Sequence, residues 1–163
     1  MTAEAVKKLL GLVPHPCEGG WYVRTWESAE MVATSVGERR TSTAIYYLLE
    51  PGTFSEMHRL ASDEIFHHYI GGPVEMLQLF PDGSGERVII GKDIEAGERP
   101  QMVVERGIWQ GSRLVEGDFA LLGCTVSPGF EFVDYEAGER ATLTQTWPEW
   151  SELIAGLTRE NED

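Results

Sequence analysis

Ten short segments rich in Val, Ile, Thr and aromatic residues follow one another along this chain, and they constrain its fold more than any other feature. Such residues are typical of β-strands. The segments are residues 21–26, 41–49, 55–60, 64–70, 74–80, 87–90, 101–104, 107–113, 119–126 and 130–135. Turns rich in glycine and proline separate them, for example at 50–52 and 127–129. Short strands at near-regular spacing predict an all-β antiparallel sandwich or closed barrel.

One short helix is predicted at each end of the chain. Over residues 3–10 the apolar side chains recur at helical spacing, Thr2 can cap the first turn and Gly11 ends the helix. Over residues 148–157 the spacing is again helical, and Pro148 suits a first helical turn. This second helix is expected to pack against the barrel.

The domain organisation follows from length and composition. A chain of 163 residues is long enough to bury a real core as one domain, and no linker or repeat divides it. We therefore predict a single domain over residues 1–163, with the barrel at about residues 20–136. The acidic tail at 159–163 is expected to be disordered.

The charge balance excludes several classes of partner. The chain carries 27 Asp and Glu against 13 Lys and Arg, a formal net charge of −14. This charge repels phosphate backbones and anionic membrane surfaces, so neither a nucleic-acid nor a membrane partner is expected. The sequence shows no basic-then-apolar leader, no apolar stretch of the length that spans a bilayer and no disulfide framework among its two cysteines. A cytoplasmic location is expected.

A regular spacing of glycine, histidine and glutamate marks the candidate site. Five residues separate Gly52 from His58, Glu64 follows six positions later, and Gly71 closes the frame. His58 is predicted to end one strand and Glu64 to begin its hairpin partner, with both side chains facing the interior. The alternative is that the glycines only make turns and that His58 is a hydrogen-bonded barrel residue.

Strand alternation extends this site along the second strand. Neighbouring strand residues point to opposite faces, so His67 and His68 cannot serve one site. If Glu64 faces inward, Phe66 and His68 share its face. His68 is then a second candidate base.

Three further residues complete the candidate set. Arg24 follows the 18–20 turn and could project toward a ligand, although an exposed strand arginine is the alternative. Tyr46 and Tyr47 split between the two faces, so one of them is peripheral. The third residue is Gln110, at the end of the stretch 107–110.

Five stretches of the chain resemble the RmlC-like cupin superfamily, and in particular the small cupin family 5, a family of unknown function. They are residues 14–24, 42–49, 58–64, 107–110 and 123–130. The frame from Gly52 to Gly71 resembles the first cupin motif, G-x5-H-x-H-x3,4-E-x6-G, with Leu60 at the second histidine position. Residues 105–110 resemble the start of the second motif, P-x-G-x2-H-x3-N, with Gln110 at the histidine position.

The resemblance implies a jelly-roll (double-stranded β-helix) barrel, paired into a homodimer, with a cavity for a small-molecule ligand. Cupins usually bind a metal through these motifs, but two of the four usual ligands are missing, so no cofactor is expected. A weak divalent metal would be held by His58, Glu64 and Gln110. Kinship of fold to deoxysugar-nucleotide 3,5-epimerases implies a metal-free alternative, in which a histidine base, its acidic partner and a tyrosine acid act together.

The sequence therefore predicts a small-molecule-binding cupin, with an isomerase- or epimerase-like activity on a small carbohydrate-like or amino-acid-like substrate. The candidate catalytic residues are His58, Glu64, His68 and Tyr46, and the candidate ligand-binding residues are Arg24, Phe66 and Gln110. Three alternatives remain open: a non-catalytic metabolite-binding barrel, a metal-dependent oxygenase, which Leu60 and Gln110 disfavour, and a structural dimer with a vestigial pocket.

Overall fold

A computed structural model describes residues 1–160 of the chain. It contains thirteen β-strands in those residues: β1 Val13–Pro14, β2 Trp21–Glu27, β3 Met31–Thr34, β4 Gly37–Arg40, β5 Thr43–Leu49, β6 Phe54–Arg59, β7 Asp63–Gly71, β8 Val74–Leu79, β9 Gly85–Ile90, β10 Gln101–Val104, β11 Trp109–Leu114, β12 Ala120–Ser127 and β13 Glu136–Ala137. The helices are α1 Ala3–Leu10, α2 Arg140–Thr146 and α3 Ser151–Gly156, with 3₁₀ turns at Phe132–Asp134 and Pro148–Trp150.

The strands form two principal sheets and one separate hairpin. The six-stranded sheet has the order β1-β2-β5-β12-β7-β10, and the five-stranded sheet has the order β13-β6-β11-β8-β9. Within the described residues, strands β3 and β4 pair only with each other. Every ladder between these strands is antiparallel. The predicted all-β cupin jelly roll is confirmed, although within residues 1–160 the two sheets remain separate and do not close into one hydrogen-bonded ring.

The short terminal helices are also confirmed. The Thr2 hydroxyl accepts a hydrogen bond from the Ala5 amide (3.2 Å), and Gly11 ends α1 at a φ of 69°. A left-handed residue is the usual end of a helix, and glycine adopts it without strain. At the other end, the predicted helix is a 3₁₀ turn followed by α3, and α2 precedes it as a helix that was not predicted.

Two other local predictions were wrong. Strands β6 and β7 do not form the predicted hairpin, because β6 pairs with β11 and β13, whereas β7 pairs with β10 and β12 in the other sheet. The segment 130–135 contains a 3₁₀ turn rather than a strand, and the β3–β4 hairpin beside it was not predicted. One contact links the two regions, because the Arg39 guanidinium makes two hydrogen bonds of 2.7 Å to the Asp134 carboxylate. This long-range pair holds the hairpin against the 3₁₀ turn, and no local sequence pattern encodes it.

The core consists of three apolar clusters. The largest fills the space between the two sheets and includes Tyr47, Phe66 and Leu122. A second lies between the five-stranded sheet and the C-terminal helices, and a third lies under α1. Polar side chains interrupt the apolar interior near the start of β7, and this is where the candidate site lies.

The chain after α3 returns toward the N-terminal loop. The Arg159 guanidinium donates a hydrogen bond to the carbonyl of Cys17 (3.0 Å). Residues 161–163 of the predicted disordered tail lie outside the described residues. None of the helices in residues 1–160 combines the length and the apolar character needed to cross a membrane.

Candidate functional site

A cavity of about 240 Å³ opens beside the inner face of the six-stranded sheet. Alternate residues of β5 and β12 form one wall of the cavity, because side chains two apart on a strand point the same way. Thr43 and Ile45 of β5 pair with Val126 and Cys124 of β12. Glu64 belongs to the same wall, because it lies on β7, the other neighbour of β12, and pairs there with Val126. Its carboxyl group therefore lies among apolar side chains on the cavity wall.

The loop between β1 and β2 contributes the other polar groups of the cavity. His15 and Glu18 line it, and the chain then turns sharply through Gly19 and Gly20, with φ of 97° and 70°. A Cβ atom on Gly20 would lie 2.7 Å from the Tyr47 hydroxyl oxygen. That hydroxyl donates a hydrogen bond to the carbonyl of Gly19 (2.7 Å). Only glycine allows both the backbone conformation and the close approach that hold this loop against β5.

The carboxyl group of Glu18 lies between two imidazole rings. Its Oε2 atom is 3.7 Å from Nε2 of His15 and 3.7 Å from Nε2 of His58. The Ser55 hydroxyl donates to the other oxygen, Oε1 (3.2 Å). The two imidazole separations are longer than hydrogen bonds, but catalytic contacts often shorten when a ligand binds. The geometry places one carboxyl within reach of two ring nitrogens.

Backbone contacts determine the tautomers of both rings. Nδ1 of His58 lies 2.6 Å from the carbonyl oxygen of Glu56, which can only accept, so this nitrogen carries the proton. Nδ1 of His15 accepts from the amides of Cys17 and Glu18 (3.2 and 3.1 Å), so in the neutral ring its proton is on Nε2. His15 therefore presents an N–H to Glu18, whereas neutral His58 presents a lone pair. A protonated Glu18 can donate to that lone pair.

The second carboxyl group, that of Glu64, is oriented by an amide. Gln110 Nε2 donates to Glu64 Oε2 at 2.7 Å, and both residues are buried. The contact crosses between the sheets, because Gln110 lies on β11 and pairs there with His58. The amide thus fixes the carboxyl beside the ring.

Burial displaces the titration of all four ionisable groups toward their uncharged forms. It raises the pKa of Glu18 and the pKa of Glu64 to about 7 each, and the Glu18 carboxylate adds to the rise in the pKa of Glu64 because like charges repel. Burial lowers the pKa of His15 to about 4 and also lowers that of His58, against the attraction of the Glu64 carboxylate. At neutral pH the site thus holds neutral imidazoles and carboxyl groups near their midpoint, which suits acid–base exchange.

The structure brings together most of the candidates. Gln110 pairs with His58 across two strands and donates to Glu64, but of these three residues only Glu64 lines the cavity. Arg24 lies at its mouth, where its guanidinium donates to the carbonyl of Phe130 (3.0 Å). Phe66 is 2% exposed and belongs to the central apolar cluster rather than to the cavity lining.

Two candidates lie away from the cavity. Tyr46 is on the outer face of its sheet, where it packs near Tyr69 and α1, and its neighbour Tyr47 faces the interior. His68 points inward but is farther along β7, where its Nε2 contacts the carbonyl of Gly72 (2.9 Å). The prediction that His68 lines the same cavity as Glu64 was wrong, because four residues of strand separate their side chains by about 13 Å.

Sequence reasoning missed four residues near the site. They are His15, Glu18, Tyr47 and Tyr135. The Tyr135 ring stacks on His58, with the ring centroids 4.9 Å apart. One signal was available, because two consecutive glycines directly after Glu18 indicate a turn that approaches another backbone closely.

The donor set does not fit the metal that cupins usually bind. Leu60 and Gln110 occupy two of the usual ligand positions, and the Gln110 amide nitrogen, which is not a ligand, faces Glu64. Among residues 1–160, no three His, Cys, Asp or Glu side chains are arranged to hold a metal ion. The four motif positions thus keep one imidazole and one carboxylate, His58 and Glu64, whereas stable transition-metal sites use more of these groups. The absence of a metal cofactor stays a prediction.

The chain belongs to the family described as Cupin superfamily (DUF985), whose sequence profile matches residues 4–138. It is 31% identical over 106 residues to an uncharacterized Saccharomyces cerevisiae protein, YML079W, and this match covers 63% of the chain. The chain spans about half the length of that yeast protein (53%).

Two solved structures are similar over nearly the whole chain. A hypothetical protein from Leishmania major is 33% identical, with a TM-score of 0.92 and coverage of 98% of this chain and 100% of its own. A protein from Shewanella oneidensis is 34% identical, with a TM-score of 0.91 and 99% of each chain covered. Bacillus subtilis oxalate decarboxylase is 14% identical with a TM-score of 0.57 over 94% of this chain and 39% of its own, a likeness of fold alone.

Proposed function

We propose that this protein is a metal-independent, isomerase- or epimerase-like enzyme that moves a proton on a small polar substrate of carbohydrate-like or amino-acid-like type. The observation that carries the proposal is the Glu18 carboxyl, which lies on the cavity wall 3.7 Å from a ring nitrogen of each of two histidines. The cavity volume corresponds to about eight water molecules at their liquid volume, which suits a ligand of that size.

In the proposed reaction Glu18 exchanges a proton with carbon. Its carboxylate takes the proton from a carbon next to a carbonyl group, and the electron pair of the broken C–H bond stays on the substrate as an enolate. Protonated Glu18 returns the proton to the same or the neighbouring carbon, or passes it to the Nε2 lone pair of His58. Arg24 at the mouth offsets the negative charge of the enolate.

The surroundings support each of these roles. Burial brings the pKa of the Glu18 carboxyl to about 7, so that both its protonated and its ionised form are populated at neutral pH. The hydrogen bond between His58 Nδ1 and the Glu56 carbonyl holds the ring with Nε2 toward Glu18. His15 presents its Nε2–H group from the other side, 3.7 Å from Glu18 Oε2, where the N–H dipole stabilises the ionised carboxylate.

Solvent deuterium exchange tests this proposal. The protein is incubated in D₂O with a panel of small hydroxy-aldehydes, keto-sugars and amino acids, and proton NMR follows loss of the signal from the carbon next to the carbonyl. We expect catalytic exchange for at least one compound, and a loss of about a hundredfold or more in Glu18→Gln. Glu86→Gln, at an exposed position on β9, is the matched control and should keep full activity. Binding without exchange across the panel would instead support the non-catalytic barrel.

A further inference from the structure

We propose that the ligand of this cavity is a small amine whose protonated amino group binds the carboxylate of Glu64. The inference rests on the proposed function in that it concerns the same cavity. It adds the chemical class of the ligand, and it can fail independently of whether any reaction occurs.

The charged groups of the cavity lining are mostly acidic. Among residues 1–160 the lining includes the carboxyl groups of Glu18, Glu64 and Glu131 and the guanidinium of Arg24. The single guanidinium among them, that of Arg24, lies at the mouth, where it donates to the carbonyl of Phe130 and shares its charge with Glu27 at 3.3 Å. The cavity therefore has an excess of negative charge that a cationic ligand would neutralise.

A second buried carboxylate shows how the same fold treats such a group elsewhere. Glu75 is buried on the five-stranded sheet, and two guanidinium groups pair with it, Arg113 at 2.7 Å and Arg87 on the neighbouring strand. Within residues 1–160 neither Lys nor Arg lies within ion-pair distance of Glu64, whose hydrogen-bond partner is the neutral Gln110 amide. Burying a carboxylate without a cation is costly, and the raised pKa of Glu64 reflects that cost. An ammonium group of the ligand would supply the missing cation and keep Glu64 ionised.

Glu64 is the better partner for an ammonium group than Glu18. Glu18 already faces two ring nitrogens and the Ser55 hydroxyl. The ionisable groups that face Glu64 are Glu18, His58 and Cys124. Burial lowers the pKa of His58 and raises that of the Cys124 thiol, so neither group supplies a full positive or negative charge at neutral pH.

The rim of the cavity indicates what is attached to the amine. Tyr22, Phe130 and Phe132 line it, and the two phenylalanine rings meet edge to face with centroids 5.1 Å apart. Aromatic faces bind apolar groups and also attract cations. The ligand is thus an amine with a small apolar part directed toward the mouth.

Matched pairs of amine and alcohol test the ligand class directly. The probes are butylamine with butan-1-ol, cyclohexylamine with cyclohexanol, and benzylamine with benzyl alcohol, titrated at millimolar concentration into ¹⁵N-labelled protein. We expect at least one amine to bind about tenfold more tightly than its alcohol, since a hydrogen bond to a charged group is stronger than a neutral one. The Gln110 side-chain amide signal should shift on binding, because this amide donates to the same carboxyl.

Two variants locate the effect. Glu64→Gln should lower the amine-to-alcohol preference to about one, and Gln110→Leu, which keeps the carboxylate, should retain the preference. Equal affinity for amine and alcohol in every pair, failure of all three amines to bind, or an unchanged preference in folded Glu64→Gln overturns the inference. If Glu64→Gln does not fold, the wild-type preference and the Gln110 signal still decide. If deuterium exchange occurs but no amine is preferred over its alcohol, the inference about the ligand is refuted and the proposed enzymatic activity stands. If an amine is preferred but no exchange occurs, the enzymatic activity is refuted and the inference about the ligand stands.

Discussion

The carboxyl group of Glu18 has a side chain only 13% exposed, and the side chain of His58 beside it is 2% exposed. Burying an ionisable carboxyl group lowers the free energy of unfolding. The difference between its pKa in the folded and the unfolded state determines how that free energy changes with pH. In the unfolded chain the carboxyl loses its proton near its ordinary pKa of 4.5, whereas in the folded state the pKa is about 7. Between these values the folded state holds more protons, so the free energy of unfolding falls as the pH rises, and it levels off above about pH 7.

A neutral isostere should remove this cost. We expect Glu18→Gln to raise the free energy of unfolding by about 1–3 kcal/mol at about pH 8, and by much less near pH 5, where the wild-type carboxyl is protonated. Urea unfolding followed by circular dichroism at the two pH values measures both quantities. Glu86→Gln, whose carboxyl is exposed, should leave stability unchanged at either pH. A Glu18→Gln protein that is less stable than wild type at about pH 8 would contradict the burial argument.

Among the structural elements, the turn through Gly19 and Gly20 is the one that places Glu18 at the cavity. The loop is held by the Tyr47 hydroxyl, which reaches from β5 to the carbonyl of Gly19. Space is tight at both glycines, because a Cβ atom on Gly19 would lie 2.2 Å from the carbonyl oxygen of Phe54. The turn can therefore present Glu18 only while its two glycines remain.

Gly52 provides a matched control for this turn. Gly20 and Gly52 both have positive φ (70° and 79°), but a Cβ atom would meet the Tyr47 ring at Gly20 and nothing within 4 Å at Gly52. Gly52→Ala should cost about 1–2 kcal/mol for its backbone alone. Gly20→Ala should cost a further 1–3 kcal/mol or so, because the methyl group displaces the tyrosine. Thermal unfolding compares the two, and equal losses would show that the Tyr47 contact does not hold the turn.

At the scale of the whole molecule, the outer face of the six-stranded sheet leaves apolar side chains uncovered in a single chain. Leu9, Tyr69 and Ile70 are 75%, 51% and 42% exposed, and they border a groove between α1 and the sheet. Contiguous apolar surface of this kind is typical of an interface.

The homodimer expected from the sequence stays a prediction, and this face is where we place it. Sedimentation velocity at micromolar concentration should give the mass of two chains, and Ile70→Lys should shift the protein toward the mass of one by burying a charge in the interface. Lys8→Glu, an exposed change on the opposite side of α1, serves as the control. A single-chain mass for the unaltered protein would contradict the prediction.

Several features of this protein were predictable from local sequence because short-range physics determines them. Thr2 and Gly11 bound α1 through a cap and a left-handed turn, and the spacing from Gly52 to Gly71 predicts the two successive strands, β6 and β7, that carry His58 and Glu64. In each case the interacting groups are a few residues apart, so propensity, turn chemistry and the two-residue period of a strand are sufficient.

Other features were decided only by the tertiary structure. Alternation separates Tyr46 from Tyr47, but only the packing of the two sheets on one face of β5 and of α1 on the other determines that Tyr47 is the one that faces inward. Glu18 reaches His58, forty residues away in sequence, only because a glycine turn packs against β5 and the two sheets face each other. The sequence alone determined the strands and turns of a cupin jelly roll, since these depend on local patterns. That His58 on β6 lies near Glu64 on β7 depends on the way the two sheets face each other. Which further groups surround that pair depends on the register and facing of strands distant in sequence, and no local pattern contains that information.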